Sequence, residues 1–278
     1  MSSPPGKIVD IELNLLIDAI YHKYHYDFRG YAFASLKRRV NMASSRLGCE
    51  SLSQLQHKVL HEPATFTALL NYLTVPVSEM FRDPEYFRAL RQQVMPVLRT
   101  YPSLKIWIAG CSTGEEAYSL AIVLREEELL QRSLIYATDI NAHSLQQAAA
   151  GVYGAERIPG FTESHRRSGA PTSLSDYYTA AYGRAVFDQN FRKHIVFADH
   201  SLATDSVFAE VQLILCRNVL IYFNRELQDR AIGLFRDALC RRGFLGIGSK
   251  ESMRLSGHAS AFEEIDGPNR LFRKREDA

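Results

Sequence analysis

The chain has 278 residues, of which 46% are hydrophobic and 23% are charged, and its formal net charge is +2. This composition is ordinary for a globular protein with one large or two modest domains. A charge so close to zero excludes a global electrostatic attraction to nucleic acid or to a membrane surface.

The cysteines and the apolar runs exclude further classes. The four cysteines form no C-x-x-C pair, which argues against a metal site of the zinc type and against a disulfide framework. We therefore expect no metal and a reducing compartment, the cytoplasm. No apolar segment resembles a signal peptide, and no run of about 18 apolar residues could span a bilayer, so we expect no membrane insertion.

The first hundred residues predict helices. Apolar residues recur every three or four positions; they are Phe33, Leu36, Val40, Ala43 and Leu47, then Phe66, Leu69, Leu70 and Leu73. Ser51 with Gln54 predicts a capping box, and Asp83 before Pro84 predicts an N-cap followed by proline. We predict an all-helical domain over residues 1–83 and a linker helix over residues 84–100.

From residue 104, short apolar runs alternate with helical stretches. The predicted strands are Lys105–Ala109, Leu134–Thr138, Ile195–Ala198, Val211–Leu215 and Phe244–Gly248, with Ala261–Ile265 and Arg270–Lys274 as a closing pair. This alternation predicts a mainly parallel sheet that binds ligands at the carboxyl ends of its strands. Residues 152–193 interrupt the alternation and predict an insert.

A glycine-rich segment, Ala109–Glu116, joins the first predicted strand to a helical pattern. Such a turn lets the backbone approach a ligand closely and directs helix N-terminal N–H groups toward it. Asp139 ends the next predicted strand, where a carboxylate can accept hydrogen bonds from a ribose diol. The pair predicts a cofactor that contains adenosine.

Other hypotheses fit parts of this segment. Gly110–Gly114 also reads G-x-S-x-G, which would make Ser112 a hydrolase nucleophile, although that motif needs several strands upstream, where this chain is helical. A nicotinamide dinucleotide would bring its pyrophosphate against Glu115 and Glu116 at the helix start. A tight turn without a ligand explains the loop alone. Acids here suit a ligand with a cationic amino group, such as S-adenosylmethionine.

Three longer segments carry a family resemblance, and they are Leu73–Pro84, Ala109–Ser119 and Leu215–Phe223. Together with Tyr26–Tyr31 and Leu36–Arg39, they resemble, in the same order, the CheR family of chemotaxis protein-glutamate methyltransferases. The resemblance covers nearly the whole chain. Since three ordered motifs match, it is far more specific than the glycine-rich loop alone.

The resemblance implies an α/β fold: a Rossmann-like S-adenosylmethionine methyltransferase sheet with helices on both faces, preceded by the all-α N-terminal domain. The methyltransferase domain would span residues 101–278 and carry a small β-subdomain insert at about 152–193. The implied reaction transfers a methyl group from S-adenosylmethionine to glutamate carboxylates of chemoreceptors and leaves S-adenosylhomocysteine. A methyltransferase of another acceptor, or an S-adenosylmethionine-binding signalling adaptor with little catalysis, remains an alternative.

The resemblance also implies functional residues. The cofactor would be bound by Pro76, Ser78, Arg82, Glu116, Asp139, Ser201, Leu202, Arg217 and Asn218, and the catalytic residues nearest the methyl group would be Arg82 and Tyr222. Pro76, Ser78 and Ser201 stand where the family often has Asn, Thr and Asn. Taken singly, Tyr222 could pack in the core, Arg82 could pair with Asp83, and Arg217 could cap a strand end.

Two segments bear on partner recognition, one predicted to contact a partner and one predicted not to hold a tether. Lys37, Arg38, Arg39 and Arg46 predict a basic stripe on helix 33–47, which is usually a solvated face but which the resemblance directs to the cytoplasmic helices of chemoreceptors. These basic residues are too few for nucleic acid. Within the insert, Tyr177–Asp188 is shorter than in relatives that bind a receptor C-terminal pentapeptide, and its loop is reduced to Gly183. We expect the insert to form without the edge and loop that hold such a tether.

Overall fold

The computed structural model describes residues 7–276, which form two compact units. One unit comprises residues 7–75 and Ile221–Gln228, and the other comprises Pro76–Leu220 and residues 229–276. Residues 1–6 and 277–278, at the outer ends of the two predicted domains, lie outside the described residues. In the part of the chain that is described, no helix is both long enough and apolar enough to cross a membrane.

The helical unit contains α1 (Ile8–Tyr24), α2 (Phe33–Arg46), α3 (Leu52–His61) and α4 (Pro63–Thr74). The predicted periodicity is real, because Leu36, Val40 and Ala43 of α2 are all buried. Helix α2 packs against α4, whose Leu69 is completely buried. This confirms the prediction of an all-helical segment before the α/β region.

Some predicted helix ends differ in detail. Ser51 Oγ accepts from Gln54 N at 3.1 Å, as a capping box requires, but the Gln54 side chain accepts from Glu50 N at 2.7 Å instead of reaching Ser51 N. Phe33, expected on the apolar face, is 43% exposed because it is the first residue of α2. The sequence pattern therefore predicted the positions of α2 and α3 correctly, but it did not predict all the side-chain contacts of their first turns.

A helical run opens the α/β unit. It consists of α5 (Pro84–Ala89), one π-helical turn (Leu90–Val94) and α6 (Met95–Leu98). Leu90 and Val94 are completely buried, so the run packs into the core of this unit. Its role as a linker stays a prediction.

The other α-helices within residues 7–276 are α7 (Glu115–Glu126), α8 (Ala142–Ala150), α9 (Ile158–Arg167) and α10 (Arg225–Ala238). The strands are, in chain order, β1 (Leu104–Ala109), β2 (Ser133–Asp139), β3 (Val152–Gly154), β4 (Tyr178–Ala181), β5 (Arg184–Phe187), β6 (Ile195–Asp199), β7 (Val211–Cys216), β8 (Leu239–Ile247), β9 (Phe262–Asp266) and β10 (Leu271–Lys274). Short 3-10 turns join several of them.

Seven strands form the main sheet in the order β6-β2-β1-β7-β8-β10-β9. The first five are parallel, and β10 is antiparallel to both β8 and β9. The chain moves outward in one direction from β1 and in the other from β7. The order therefore reverses between these neighbours, and sheets of this kind generally bind ligands at the carboxyl ends of the strands at such a point. Trp107, at the centre of β1, is fully buried and packs edge-on against Phe235 of α10.

The predicted strands all occur, and the largest error is in β8. This strand was predicted as Phe244–Gly248 but begins at Leu239, directly after α10. Leu239 pairs with Val211 across a register shift, and Arg242 adopts a left-handed φ of 60°. This irregularity hid the first half of the strand from an apolar pattern. The mixed sheet confirms the α/β class.

The insert forms a second sheet, ordered β3-β5-β4 and antiparallel throughout. Tyr182 and Gly183 join β4 to β5 with left-handed φ values of 51° and 72°, which are typical of a two-residue hairpin turn. That the insert lacks an edge able to hold a receptor peptide stays a prediction, although the sheet does have outer strands. A three-stranded sheet has two outer strands, and the outer strand β4 is mostly exposed.

Candidate active site

The glycine-rich loop turns sharply after β1. Gly110 has a φ of 78°, and a Cβ at this position would lie 2.4 Å from Val219 Cγ2, so a larger residue does not fit. The N–H groups of Gly110 and Cys111 both donate to the Thr138 carbonyl of β2 at 2.8 Å. The loop is thereby fixed to the neighbouring strand.

Asp139 supports the same loop with its side chain. Its Oδ2 accepts from Ser112 N at 2.8 Å, and its Oδ1 accepts from Asn141 N at 2.9 Å. Burial raises the pKa of Asp139, and these backbone hydrogen bonds oppose that effect. Each carboxylate oxygen can accept more than one hydrogen bond, so Asp139 keeps acceptor capacity for a diol.

The described part of the chain places no activating base within hydrogen-bonding reach of Ser112. Its φ is 50°, and its Oγ is buried without a hydrogen-bond partner among residues 7–276. A serine nucleophile needs a base within hydrogen-bonding reach. The hydrolase hypothesis therefore finds no support at this loop.

The two acids that begin α7 are each held by an arginine. The Glu115 side chain is fully buried, and its Oε1 accepts from Arg157 Nη1 at 2.8 Å while its Oε2 accepts from Thr113 Oγ1 at 2.7 Å. The Glu116 side chain is 13% exposed, and its Oε1 accepts from Arg217 Nη1 at 3.2 Å. Of the two, Glu116 is the one that remains accessible to a ligand.

Arg217 joins three segments at the end of β7. Its Nη2 donates to the Arg82 carbonyl at 2.9 Å and to Asp83 Oδ2 at 2.8 Å, and its guanidinium lies 4.0 Å from the centroid of the Tyr86 ring. Burial disfavours its charge, but Glu116, Tyr86 and Asp83 outweigh burial and raise the pKa of Arg217. Its Nε is buried without a partner among the described residues. Arg217 therefore does more than cap the end of β7, because it bonds residues of distant segments.

Arg82 lies in a strained segment. Its neighbours Phe81 and Asp83 have left-handed φ values of 51° and 57°, and Phe81 N donates to Ser119 Oγ at 2.9 Å. Across residues 7–276, the Arg82 side chain makes no hydrogen bond or ion pair, so the local pair with Asp83 does not form. The structure confirms Asp83 as the N-cap residue of α5 with Pro84 at the first helical position, but the Asp83 carboxylate binds Arg217 and makes no capping hydrogen bond.

The remaining proposed cofactor residues lie on loops of the same unit. Pro76 is exposed, and the Ser78 carbonyl accepts from Arg157 Nη2. Ser201 Oγ accepts from Ala203 N at 3.3 Å within the turn after β6, where Leu202 is buried.

Asn218 follows Arg217 after β7. It has a φ of 62°, and its N donates to Glu251 Oε2 at 3.1 Å. The segments that carry the proposed cofactor residues thus follow β1, β2, β6 and β7, or lie just before α5.

Tyr222 and the predicted basic stripe belong to the helical unit. Arg39 is 5% exposed; its Nη1 donates to the Leu73 carbonyl at 2.7 Å, and its guanidinium lies 4.1 Å from the centroid of the Tyr222 ring. The stripe prediction was therefore wrong for Arg39, because this position faces the interior with Leu36, Val40 and Ala43.

The other stripe residues remain at the surface. Arg38 and Arg46 are exposed, and Lys37, half-buried, pairs with Asp10 at 2.5 Å.

Several residues of this site were not predicted. Arg157 lies 42 positions from Glu115, and Ser119 and Glu251 bond backbone N–H groups of distant segments. No local pattern marks such partners. A buried acid that needs a counter-charge was the one available signal, and it does not name the arginine.

The chain matches two parts of one family. Residues 11–74 match the CheR methyltransferase all-alpha domain, and residues 76–271 match the CheR methyltransferase SAM binding domain. Cher3 of Pseudomonas putida, described as a methyltransferase, is 58% identical over 95% of this chain and 97% of its own length.

Two relatives are named chemotaxis protein methyltransferase. That of Listeria innocua is 36% identical over 66% of this chain and 68% of its own length. The protein of Listeria monocytogenes is 30% identical over 82% of this chain and 84% of its own length. With both domain matches in sequence order, the chain belongs to the CheR methyltransferase family, and its cofactor is S-adenosylmethionine.

Proposed function

We propose that this protein transfers a methyl group from S-adenosylmethionine to glutamate side chains of methyl-accepting chemoreceptors and forms methyl esters. The observation that carries the proposal is the Arg82 guanidinium, which has no partner among residues 7–276 and lies in a strained loop, where the Arg82 carbonyl accepts a hydrogen bond from Arg217. Relatives named chemotaxis protein methyltransferase support the acceptor. Such an enzyme would act in the cytoplasm.

The residues present fit the cofactor. Asp139 has spare acceptor capacity for the ribose diol, the accessible Glu116 carboxylate suits a cationic amino group, and Ser112 Oγ is a buried polar atom without a partner among the described residues. S-adenosylmethionine supplies, when bound, a methyl group on a cationic sulfur. Pro76, Ser78, Ser201, Leu202 and Asn218 are proposed to complete the pocket by their loop positions.

The acceptor needs alignment more than activation. A glutamate carboxylate has an unperturbed pKa of about 4.3 and is ionised near neutral pH, so no general base is required. The enzyme must direct one carboxylate oxygen toward the methyl carbon, opposite the bond that breaks, and keep water out. We propose that Arg82 orients that carboxylate by charge-assisted hydrogen bonds. The catalytic role of Tyr222 stays a prediction from the family resemblance.

Receptor recognition is proposed for the exposed basic side chains of α2, chiefly Arg38 and Arg46, with Lys37 beside them. Exposed charges are screened within about 8 Å at physiological ionic strength, so this contact should be modest and salt-sensitive. The two-residue turn at Tyr182 and Gly183 supports recognition without a pentapeptide tether, because it leaves no longer loop to close over a bound strand.

The direct test uses labelled S-adenosylmethionine and the cytoplasmic fragment of a chemoreceptor. The proposal expects label on the fragment that mild base releases, as it does from a methyl ester, and no label after receptor glutamates are replaced by alanine. Cofactor binding without transfer would instead indicate an adaptor. Base-stable label would indicate another acceptor group.

A separate titration tests the tether. We expect no measurable binding of a receptor C-terminal pentapeptide to the protein, and equal methylation of receptor fragments with and without that peptide. Micromolar binding, or methylation that depends on the peptide, would show that the β4 edge is used for strand addition.

A further inference from the structure

Arg157 belongs to the insert and contacts two parts of the cofactor site. It follows β3 and ends a short 3-10 turn, Ala155–Arg157. Its Nη1 donates to Glu115 Oε1 at 2.8 Å, and its Nη2 donates to the Ser78 carbonyl. One planar guanidinium thus joins the start of α7 to the segment that leads to Arg82. A guanidinium suits this task, because its donors are fixed in a fork.

The contact with Glu115 is electrostatically demanding. The Glu115 side chain is fully buried, and a buried carboxylate is stable only when it is paired and hydrogen-bonded. Thr113 Oγ1 supplies one neutral hydrogen bond, and Arg157 supplies the counter-charge. Because Thr113 and Glu115 flank Gly114, the pairing also restrains the end of the glycine-rich loop.

A second residue of the insert contacts the same loop. Tyr153, on β3, is buried, and its hydroxyl donates to the Thr113 carbonyl at 2.9 Å. The Arg157 guanidinium lies 4.8 Å from the centroid of the Phe161 ring on α9, so its orientation is set within the insert. The insert therefore contacts the cofactor loop through both a backbone carbonyl and a buried acid.

We propose that Arg157 is a positioning residue for the cofactor site, and that it couples the β-subdomain insert to residues 76–82 and to the glycine-rich loop. The inference rests on the proposed cofactor site and adds a role for the insert in shaping it. Arg157 acts through Glu115 and the Ser78 carbonyl and does not itself contact the reacting atoms.

The structure offers a matched control at the other end of α7. Arg125 also joins α7 to the insert, through Asp188 Oδ2 at 3.1 Å, but its side chain is 47% exposed and lies a full helix length from the cofactor loop. Loss of an insert contact in general would affect Arg125 and Arg157 variants alike. Loss of positioning would affect Arg157 variants alone.

The test compares Arg157→Ala, Arg157→Lys and Arg125→Ala with the unmodified protein. Calorimetry measures the affinity for S-adenosylhomocysteine, and thermal melting tests whether each variant is folded. Amide hydrogen exchange of residues 76–82 is measured in the absence of ligand. We expect Arg157→Ala to weaken affinity roughly tenfold or more, as loss of charged hydrogen bonds does. Arg157→Lys should retain more of the affinity than Arg157→Ala, because it keeps the positive charge. The affinity should still be below that of the unmodified protein, because one ammonium cannot form the same fork of hydrogen bonds. Arg125→Ala should change neither affinity nor exchange.

Two results must occur together: weaker affinity and faster exchange of residues 76–82 in the Arg157 variants. Unchanged affinity or unchanged exchange in a folded Arg157→Ala variant overturns the proposal. If Arg157→Ala does not fold, Arg157→Lys decides by the same criteria. If the unmodified protein does not bind S-adenosylhomocysteine, the proposed cofactor site fails, while exchange in the unliganded variants still decides the coupling.

Discussion

The surroundings of the glycine-rich loop and the outer face of α2 use charge in opposite ways. Around the loop, the acids Glu115 and Glu116 are each held by an arginine from a distant segment. On α2, Arg38 and Arg46 are exposed. Buried charges must be paired and therefore fix geometry, whereas exposed charges are hydrated and can attract a partner. The difference separates residues that build a site from residues that present a surface.

The largest effect that would test this contrast is expected at Arg217. Arg217→Met removes the hydrogen bonds to Asp83, Glu116 and the Arg82 carbonyl. Removal of one partner from a buried pair costs about 3–5 kcal/mol, and we expect the lower end because Asp83 is partly exposed. Urea unfolding measures the loss. Arg242→Met, whose pair with Glu276 is exposed, is the control and should change stability by under about 1 kcal/mol.

The next effect concerns Glu126 at the end of α7. Burial alone would raise its pKa, but hydrogen bonds from His165, Thr172 and Arg91 outweigh burial and lower the pKa of Glu126 to about 2. A lowered pKa contributes stability that is present above the ordinary value and is lost as pH falls toward about 2.

Glu126→Gln should therefore lower the free energy of unfolding by about 2–3 kcal/mol near neutral pH, and the difference from the unmodified protein should shrink as pH falls below about 4.5. Urea unfolding at several pH values measures both. Glu127→Gln, at the neighbouring and more exposed carboxylate, should have a smaller effect. A difference that does not change with pH would contradict this assignment.

Adjacent arginines on α2 sharpen the contrast within one helix. Arg39→Met breaks the hydrogen bond to the Leu73 carbonyl and the contact with the Tyr222 ring, and we expect a loss of about 2 kcal/mol in stability. Arg38→Met, at the exposed neighbouring position, should stay within about 0.5 kcal/mol. If urea unfolding shows equal losses of stability for the two substitutions, the distinction between a buried structural Arg39 and an exposed Arg38 is wrong.

The smallest expected effect is on the affinity for the cofactor product, and it is expected from substitution of Asp139. Asp139→Ala should weaken S-adenosylhomocysteine binding by about tenfold or more, because it removes a charged acceptor and also the support of Ser112 N. Asp139→Asn keeps one acceptor oxygen and should lose less. Calorimetry on folded variants measures both, and unchanged affinity in Asp139→Ala would reject the assignment to the ribose.

The sequence predicted the features that depend on neighbouring residues. The helical start and the strands of the main sheet follow from the periods of the apolar residues, and the glycine-rich loop and Asp139 follow from spacing along one β-α-β segment. The pairs Arg217–Glu116 and Arg157–Glu115 could not be predicted, because only the folded chain brings these positions together. Asp83 was correctly predicted as the residue before α5, but the contact of its carboxylate could not be predicted, since a distant arginine binds it. Arg39 was misassigned because a charge was assumed to be exposed.

The central claim is that a fixed, buried site performs the transfer while exposed charges on α2 find the receptor. The most direct measurement follows base-labile methyl transfer to a receptor cytoplasmic fragment, and S-adenosylhomocysteine affinity in parallel, as salt rises from about 0.05 to about 0.5 M. We predict that the KM for the fragment rises with salt, that Arg38→Ala with Arg46→Ala abolishes this rise, and that cofactor affinity barely changes. A KM that is independent of salt, or the absence of base-labile transfer, would contradict the account.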